Sequence, residues 1–246
     1  METNMAEDLR LTLSLAFPHE VRTPLHVILG ISQYLLEQDP ANFPDPANIL
    51  ALQQTVHTNA LQLYQMLEKF LFYTKLRLNA TGEADASDIL RDPPCRIQTA
   101  PFIGAMAGFT AQIFGRRADL QLDLRDIDSV IAEADLERIV AELVENACKF
   151  SPAGSPVRVC TSLNPAEQRW TLNVQDQGSG LTRDQLAAIA AYMELARRPP
   201  PPGIGLGLAI VRLLTEVNAG ALSLESQPQQ GTTVRIAFQR APTPST

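Results

Sequence analysis

The chain has 246 residues, enough for one large or two ordinary domains, each with its own core. An apolar share of 45%, a charged share of 19% and a net charge of -7 describe a soluble globular protein and argue against a general binder of nucleic acid or anionic membrane. No apolar run approaches the roughly 20 residues that span a bilayer, and the opening METNMAEDLR lacks the basic and apolar regions of a signal peptide. Cys95, Cys148 and Cys160 form no C-x-x-C pair, so zinc is not expected and a reduced, cytoplasmic setting is.

In chain order, residues 5–38 read as a helix interrupted by Pro18 and Pro24, with an apolar stripe of Val21, Leu25, Ile28 and Leu29. Residues 39–46 hold three prolines and read as a turn. A second helix over 47–78 carries Leu52, Val56, Ala60, Leu63, Leu67, Phe70 and Leu71 at three- and four-residue spacing. Two such helices form a hairpin that buries one stripe and leaves little else for a core, so a second copy is expected to complete a four-helix bundle. Residues 79–94 look like a linker. Beyond it the pattern alternates: strand 96–99, helix 101–114, strands 120–124 and 130–132, a helix to Phe150 with Asp135 as its N-cap, strands 157–163 and 170–175, helix 208–217, and strands 221–225 and 233–238. The expected fold is α+β: a helical hairpin followed by an α/β sandwich with helices on one face of a mixed sheet.

Several residues carry chemistry rather than packing. His19 and Thr23 lie one helical turn apart, and Glu20 beside His19 can hold or receive a proton from one imidazole nitrogen while the other stays nucleophilic. Pro24 removes a backbone hydrogen bond to the turn of Glu20. On the helix ending at Phe150, Glu142 and Asn146 share a face, with Lys149 one turn further on. A carboxylate and an amide oxygen so placed can hold Mg²⁺ or water, and a lysine can meet a phosphate, although such residues are usually a helix's solvated face. Asp176-Gln-Gly178-Ser-Gly180 follows a strand; its glycines admit a ligand close to the backbone, and Asp176 can accept from an exocyclic amine. Gly203-Ile-Gly205-Leu-Gly207-Leu208 opens a helix, where free N–H groups favour phosphate.

The run His19-Glu-Val-Arg-Thr-Pro-Leu25 resembles the phosphoacceptor motif of sensor histidine kinases at every position. ELVENACKFSPAG resembles the asparagine box of those kinases, and the later runs resemble their two glycine boxes, in family order. The resemblance implies a dimerisation and phosphotransfer hairpin over 1–80, a linker over 81–94 and a Bergerat-type ATP-binding domain over 95–242. It implies autophosphorylation of His19 from ATP·Mg²⁺ and transfer to an aspartate on the receiver domain of a response regulator. Glu20 would be the base toward His19, and Thr23 would orient water in a phosphatase reaction. The nucleotide would contact Glu142, Asn146, Lys149, Asp176, Gly178, Gly180, Gly203, Gly205, Gly207 and Leu208, with Asn146 and Glu142 at the metal.

Three departures from the family pattern stand out. Many of these kinases have Asn where this chain has Glu142, and related ATPases use Glu there to activate water, so the role of Glu142 stays open between metal shell and base. Pro18 replaces a common Ser before the histidine. The expected lid, 181–202, has AIAAYMELARRPPPP in place of a phenylalanine-rich segment, with Arg197 and Arg198 as possible phosphate contacts. A hydrolytic ATPase and a degenerate kinase serving as a scaffold are the alternatives.

Overall fold

The computed structural model describes residues 17–38, 45–81, 93–164, 168–194 and 205–241. The fold is a helical hairpin followed by a mixed α/β domain. Among the described residues there are two compact units, one of residues 17–74 with 205–206 and the other of residues 75–194 with 207–241.

The first unit holds α1 (Phe17–Leu36) and most of α2 (Pro46–Thr81). Helix α1 runs on through Pro24. Helix α2 starts at Pro46 because Asp45 caps it: its carboxylate accepts from the Ala47 and Asn48 N–H groups at 2.9 and 3.0 Å, and proline suits the first helical position. The stripe expected to be buried is only partly so. Val21 and Ile28 are half-buried, but Leu25 and Leu29 are 41% and 55% exposed, and Leu67 and Leu71 on α2 are exposed as well. A single hairpin covers one side of each helix and leaves this second side uncovered.

The second unit contains β1 (Cys95–Gln98), α3 (Thr99–Ile113), β2 (Leu120–Asp123), β3 (Asp128–Ile131), α4 (Glu133–Phe150), β4 (Val157–Asn164), β5 (Arg169–Gln175), α5 (Arg183–Glu194), α6 (Leu206–Val217), β6 (Ala221–Gln227) and β7 (Gly231–Gln239). Strands β1 and β3 pair antiparallel; the main sheet runs β2-β4-β5-β7-β6, with β2–β4 its one parallel pair among the described residues. Alternation sets its two faces: Val157, Val159 and Thr161 of β4, Trp170, Leu172 and Val174 of β5, and Ile236 and Phe238 of β7 are buried. Helix α4 packs on β4, β5 and α3 with Leu136, Ile139, Val140, Leu143 and Val144 inward. Trp170 is fully buried, its indole N–H donating to Ser129 Oγ at 3.0 Å.

One reading of the sequence needs correction. Helix α4 begins after Ala132, whose carbonyl accepts from the Asp135 and Leu136 N–H groups, so Asp135 lies inside the first turn rather than at the N-cap. Its carboxylate instead accepts from the Asn218 side chain at 2.8 Å, which ties the start of α4 to the end of α6. The interval read as a lid contains α5, started by a reciprocal cap: Thr182 Oγ1 accepts from the Gln185 N–H, and Gln185 Oε1 accepts from the Thr182 N–H. Residues 195–202, with Arg197, Arg198 and the four prolines, lie outside the described residues.

Candidate functional site

The site grows from α4. With its apolar residues turned to the sheet and to α3, the helix presents Arg138, Glu142, Glu145, Asn146 and Lys149 along the remaining sector. Glu142 is the unusual member: its side chain is 2% exposed, and Oε1 lies 3.0 Å from Arg138 Nη2, one turn earlier. Buried carboxylates are rare unless so paired.

Helix α6 brings its first turn to the same place. A Cβ on Gly207 would sit 2.5 Å from Glu142 Oε2 and 3.6 Å from Asn146 Nδ2, so a larger residue in this turn would displace the Glu142 carboxylate. The structure thus brings Glu142, Asn146 and Gly207 together from positions more than 60 residues apart in the chain. The Asn146 amide makes no hydrogen bond among the described residues, which leaves its oxygen open to a cation or water. Gly205 precedes α6 with open space around its Cα, Leu208 is buried in α6, and Gly203 lies outside the described residues.

Asp176, the residue after β5, forms a second cluster. Its N–H donates to the Thr232 carbonyl at 3.0 Å, and its Oδ1 accepts from the N–H groups of Gly178 at 2.7 Å and Thr232 at 3.3 Å. Oδ2 accepts no hydrogen bond from a described residue, so the carboxylate keeps one oxygen for an outside donor. Burial pushes the Asp176 carboxyl above its usual range, against the two backbone donors that hold its charged form. Gly178 lies against the Phe150 carbonyl at the end of α4, and Gly180 (φ 62°) against the Gln227 carbonyl; side chains at either would overlap those oxygens. Ser226 accepts from the Leu181 N–H at 2.9 Å and donates to the Gly231 carbonyl at 2.8 Å. The Asp-x-Gly-x-Gly turn is therefore stapled between α4 and the β6–β7 hairpin.

Lys149 is turned to Glu145 at 2.5 Å and lies 5.7 Å from the Phe114 ring centroid. His19 and Glu20 belong to the first turns of α1, and Thr23, one turn on, is exposed. Two arginines escape a motif reading. Arg138 was findable from its four-residue spacing to Glu142. Arg116 was not, because its partners are remote: buried beside Asp119, it donates to the carbonyls of Cys148 (3.0 Å), Ser151 (2.9 Å) and Ser155 (2.9 Å), satisfying carbonyls at the end of α4. The same guanidinium holds the Asp119 carboxyl below its ordinary value, with help from the Gly154 N–H.

An acceptor for an amine, an unengaged amide and a helix N-terminus beside a carboxylate make a set of groups suited to a nucleotide. Comparison with known proteins agrees. Residues 131–242 match the family described as histidine kinase-, DNA gyrase B-, and HSP90-like ATPase. The virulence sensor protein BvgS of Bordetella bronchiseptica is 29% identical over 226 residues, 89% of this chain but 17% of the relative. Sensor histidine kinase YcbM of Bacillus subtilis is 28% identical over 225 residues, 90% of this chain and 69% of the relative. In fold, the Acinetobacter baumannii histidine kinase AdeS superposes with a TM-score of 0.60 at 20% identity, covering 92% of this chain and 98% of that one. Full-length ShkA, solved in complex with AMPPNP, gives 0.55 at 22% identity over 92% of this chain and 46% of that one. Residues 131–242 thus match the ATPase domain that histidine kinases share with DNA gyrase B and HSP90, and over about nine-tenths of its length the chain is similar to sensor histidine kinases.

Proposed function

We propose that the chain is a two-component kinase that phosphorylates His19 from ATP and passes the phosphoryl group to an aspartate of a response-regulator receiver domain. The observation that carries this reading is the convergence of Glu142, Asn146 and Gly207, in a chain that also keeps one oxygen of Asp176 open and whose α1 holds the complete His19–Leu25 motif. In this reading residues 1–80 form the phosphotransfer hairpin and 95–242 the nucleotide domain. Asp176 Oδ2 accepts from the adenine amine, and the N–H groups at the start of α6, with Gly203, Gly205, Gly207 and Leu208 in the turn, face the phosphates. Lys149 leaves Glu145 for a phosphate oxygen. The open oxygen of Asn146, with Glu142 behind it, would hold Mg²⁺, which supplies charge neutralisation on the transferring group when bound.

The neutral imidazole of His19 attacks the γ-phosphorus in line. A nitrogen–phosphorus bond forms, the bond to the bridging oxygen breaks with its electron pair leaving on ADP, and Glu20 takes the proton from the other ring nitrogen. Thr23 orients the water that removes phosphate from the regulator. The exposed Leu25, Leu29, Leu67 and Leu71 support a homodimer through the hairpin, because apolar side chains on this scale are normally covered. Among the described residues no helix is long and apolar enough to cross a membrane.

The test is incubation with γ-labelled ATP and Mg²⁺ beside His19→Gln and Asn146→Ala. Acid-labile, alkali-stable label on the wild type that both variants lose is the expected result. Nucleotide binding with no label on the wild type rejects the kinase reading.

A further inference from the structure

A carboxylate beside a phosphate-binding turn endangers a kinase, because it can take a proton from water and divert the γ-phosphoryl group. In that loss the water oxygen bonds to phosphorus, ADP leaves with the electron pair of the broken bond, and the water's proton passes to the carboxylate. Glu142 has the position for it: Oε2 faces Gly207 of the turn. We propose that Arg138 is a positioning residue that withholds Glu142 from water, so that the phosphoryl group is kept for His19; this rests on the kinase reading above.

The geometry supports it in three ways. Arg138 Nη2 lies 3.0 Å from Glu142 Oε1, with side chains 32% and 2% exposed, so the guanidinium caps the carboxylate from the solvent side. The other oxygen is covered by the backbone of Gly207, where even a methyl group would collide with it. The helix that carries the pair cannot easily turn to release it. Its start is tied through Asp135 to Asn218 at 2.8 Å, and its end through the Cys148 carbonyl to Arg116 at 3.0 Å. A base must present a lone pair to water, and this carboxylate is shielded on both oxygens.

The experiment uses the full chain carrying His19→Gln, so that no phosphoacceptor competes, and measures phosphate release from ATP with Mg²⁺ alongside ADP affinity. Arg138→Met is expected to raise phosphate release about tenfold or more, since a positioned base contributes on the order of 10²–10⁴-fold when fully engaged. ADP affinity should stay within about threefold of the parent, the adenine contacts being elsewhere. Glu142→Gln added to Arg138→Met should abolish the rise, and Arg138→Lys should restore part of the restraint. Unchanged release with ADP binding intact overturns the proposal, as does a rise that survives Glu142→Gln. Should Arg138→Met fail to fold, Arg138→Lys decides, because release equal to the parent's then counts against a restraint specific to the guanidinium. Labelling of His19 in the wild type separates the two readings: absent label rejects the kinase, whereas label with unchanged release in Arg138→Met rejects only the role of Arg138.

Discussion

Replacing Asp176 by asparagine separates binding from stability. In the native protein Oδ1 takes the N–H groups of Gly178 and Thr232, and an asparagine oxygen can keep both. The second position changes from an acceptor to an NH₂ donor, which cannot meet an adenine amine. A hydrogen bond to a charged group contributes about 1.5–3 kcal/mol, so ADP affinity should fall roughly 10- to 150-fold. Stability should move the other way. Burial raises the Asp176 carboxyl above its unfolded value, so its ionised form disfavours the fold and the penalty grows as pH rises from that unfolded value through the folded one. The neutral amide escapes it, so Asp176→Asn should melt at or above the wild-type temperature at pH 7.5, with the advantage shrinking toward pH 4. Calorimetric ADP titration and thermal unfolding at both pH values measure this. Affinity within threefold of wild type, or a lower melting temperature at pH 7.5, refutes the reasoning.

Gly207→Ala places a methyl group 2.5 Å from Glu142 Oε2, which Arg138 and burial hold in place. Overpacking of this kind costs about 1–3 kcal/mol, against up to about 1 kcal/mol of helix propensity gained, so a lower melting temperature and weaker ADP binding are expected. Gly205→Ala, which meets nothing within 4 Å, should melt like the wild type. Arg116→Met leaves three carbonyls near the end of α4 without their donor and should lower the melting temperature by at least about 5 °C in thermal scans. Ala219 holds a left-handed conformation (φ 52°) just after α6. Relief of about 1–2 kcal/mol there, less about 0.4–1 for the freer unfolded chain, predicts a net gain of up to about 1.5 kcal/mol for Ala219→Gly in urea titrations.

Much of the second unit was legible because its elements announce themselves locally. Strict alternation in 157–163 and 170–175 marks strands with one buried face, and the structure extends each by one residue only. What stayed hidden depends on partners remote in sequence. Asp135 looks like a cap, yet its carboxylate is taken by Asn218, 83 residues away. Arg116 carries no local signal at all, since its carbonyl partners lie 32 to 39 residues on. Helix α5 was readable in principle from Thr182 and Gln185, a capping pair obscured by treating the interval as lid. In the site, motif order pointed to Glu142, Asn146, Asp176 and Gly207, but only the fold shows that Gly207 abuts Glu142 while Asp176 keeps one oxygen open. The pairing of Glu142 with Arg138 turns an ambiguous residue into a question with a defined test.

The most direct measurement is the location of the phosphate. The full chain is incubated with ATP and Mg²⁺, digested at neutral to mildly alkaline pH, and its peptides are mapped by mass spectrometry beside ADP titration of the same preparation. The account predicts a phosphate on the peptide carrying His19, lost in Asp176→Asn at low ATP and removed on addition of a competent receiver domain. Tight ADP binding with His19 unmodified, or modification at another residue, would contradict it.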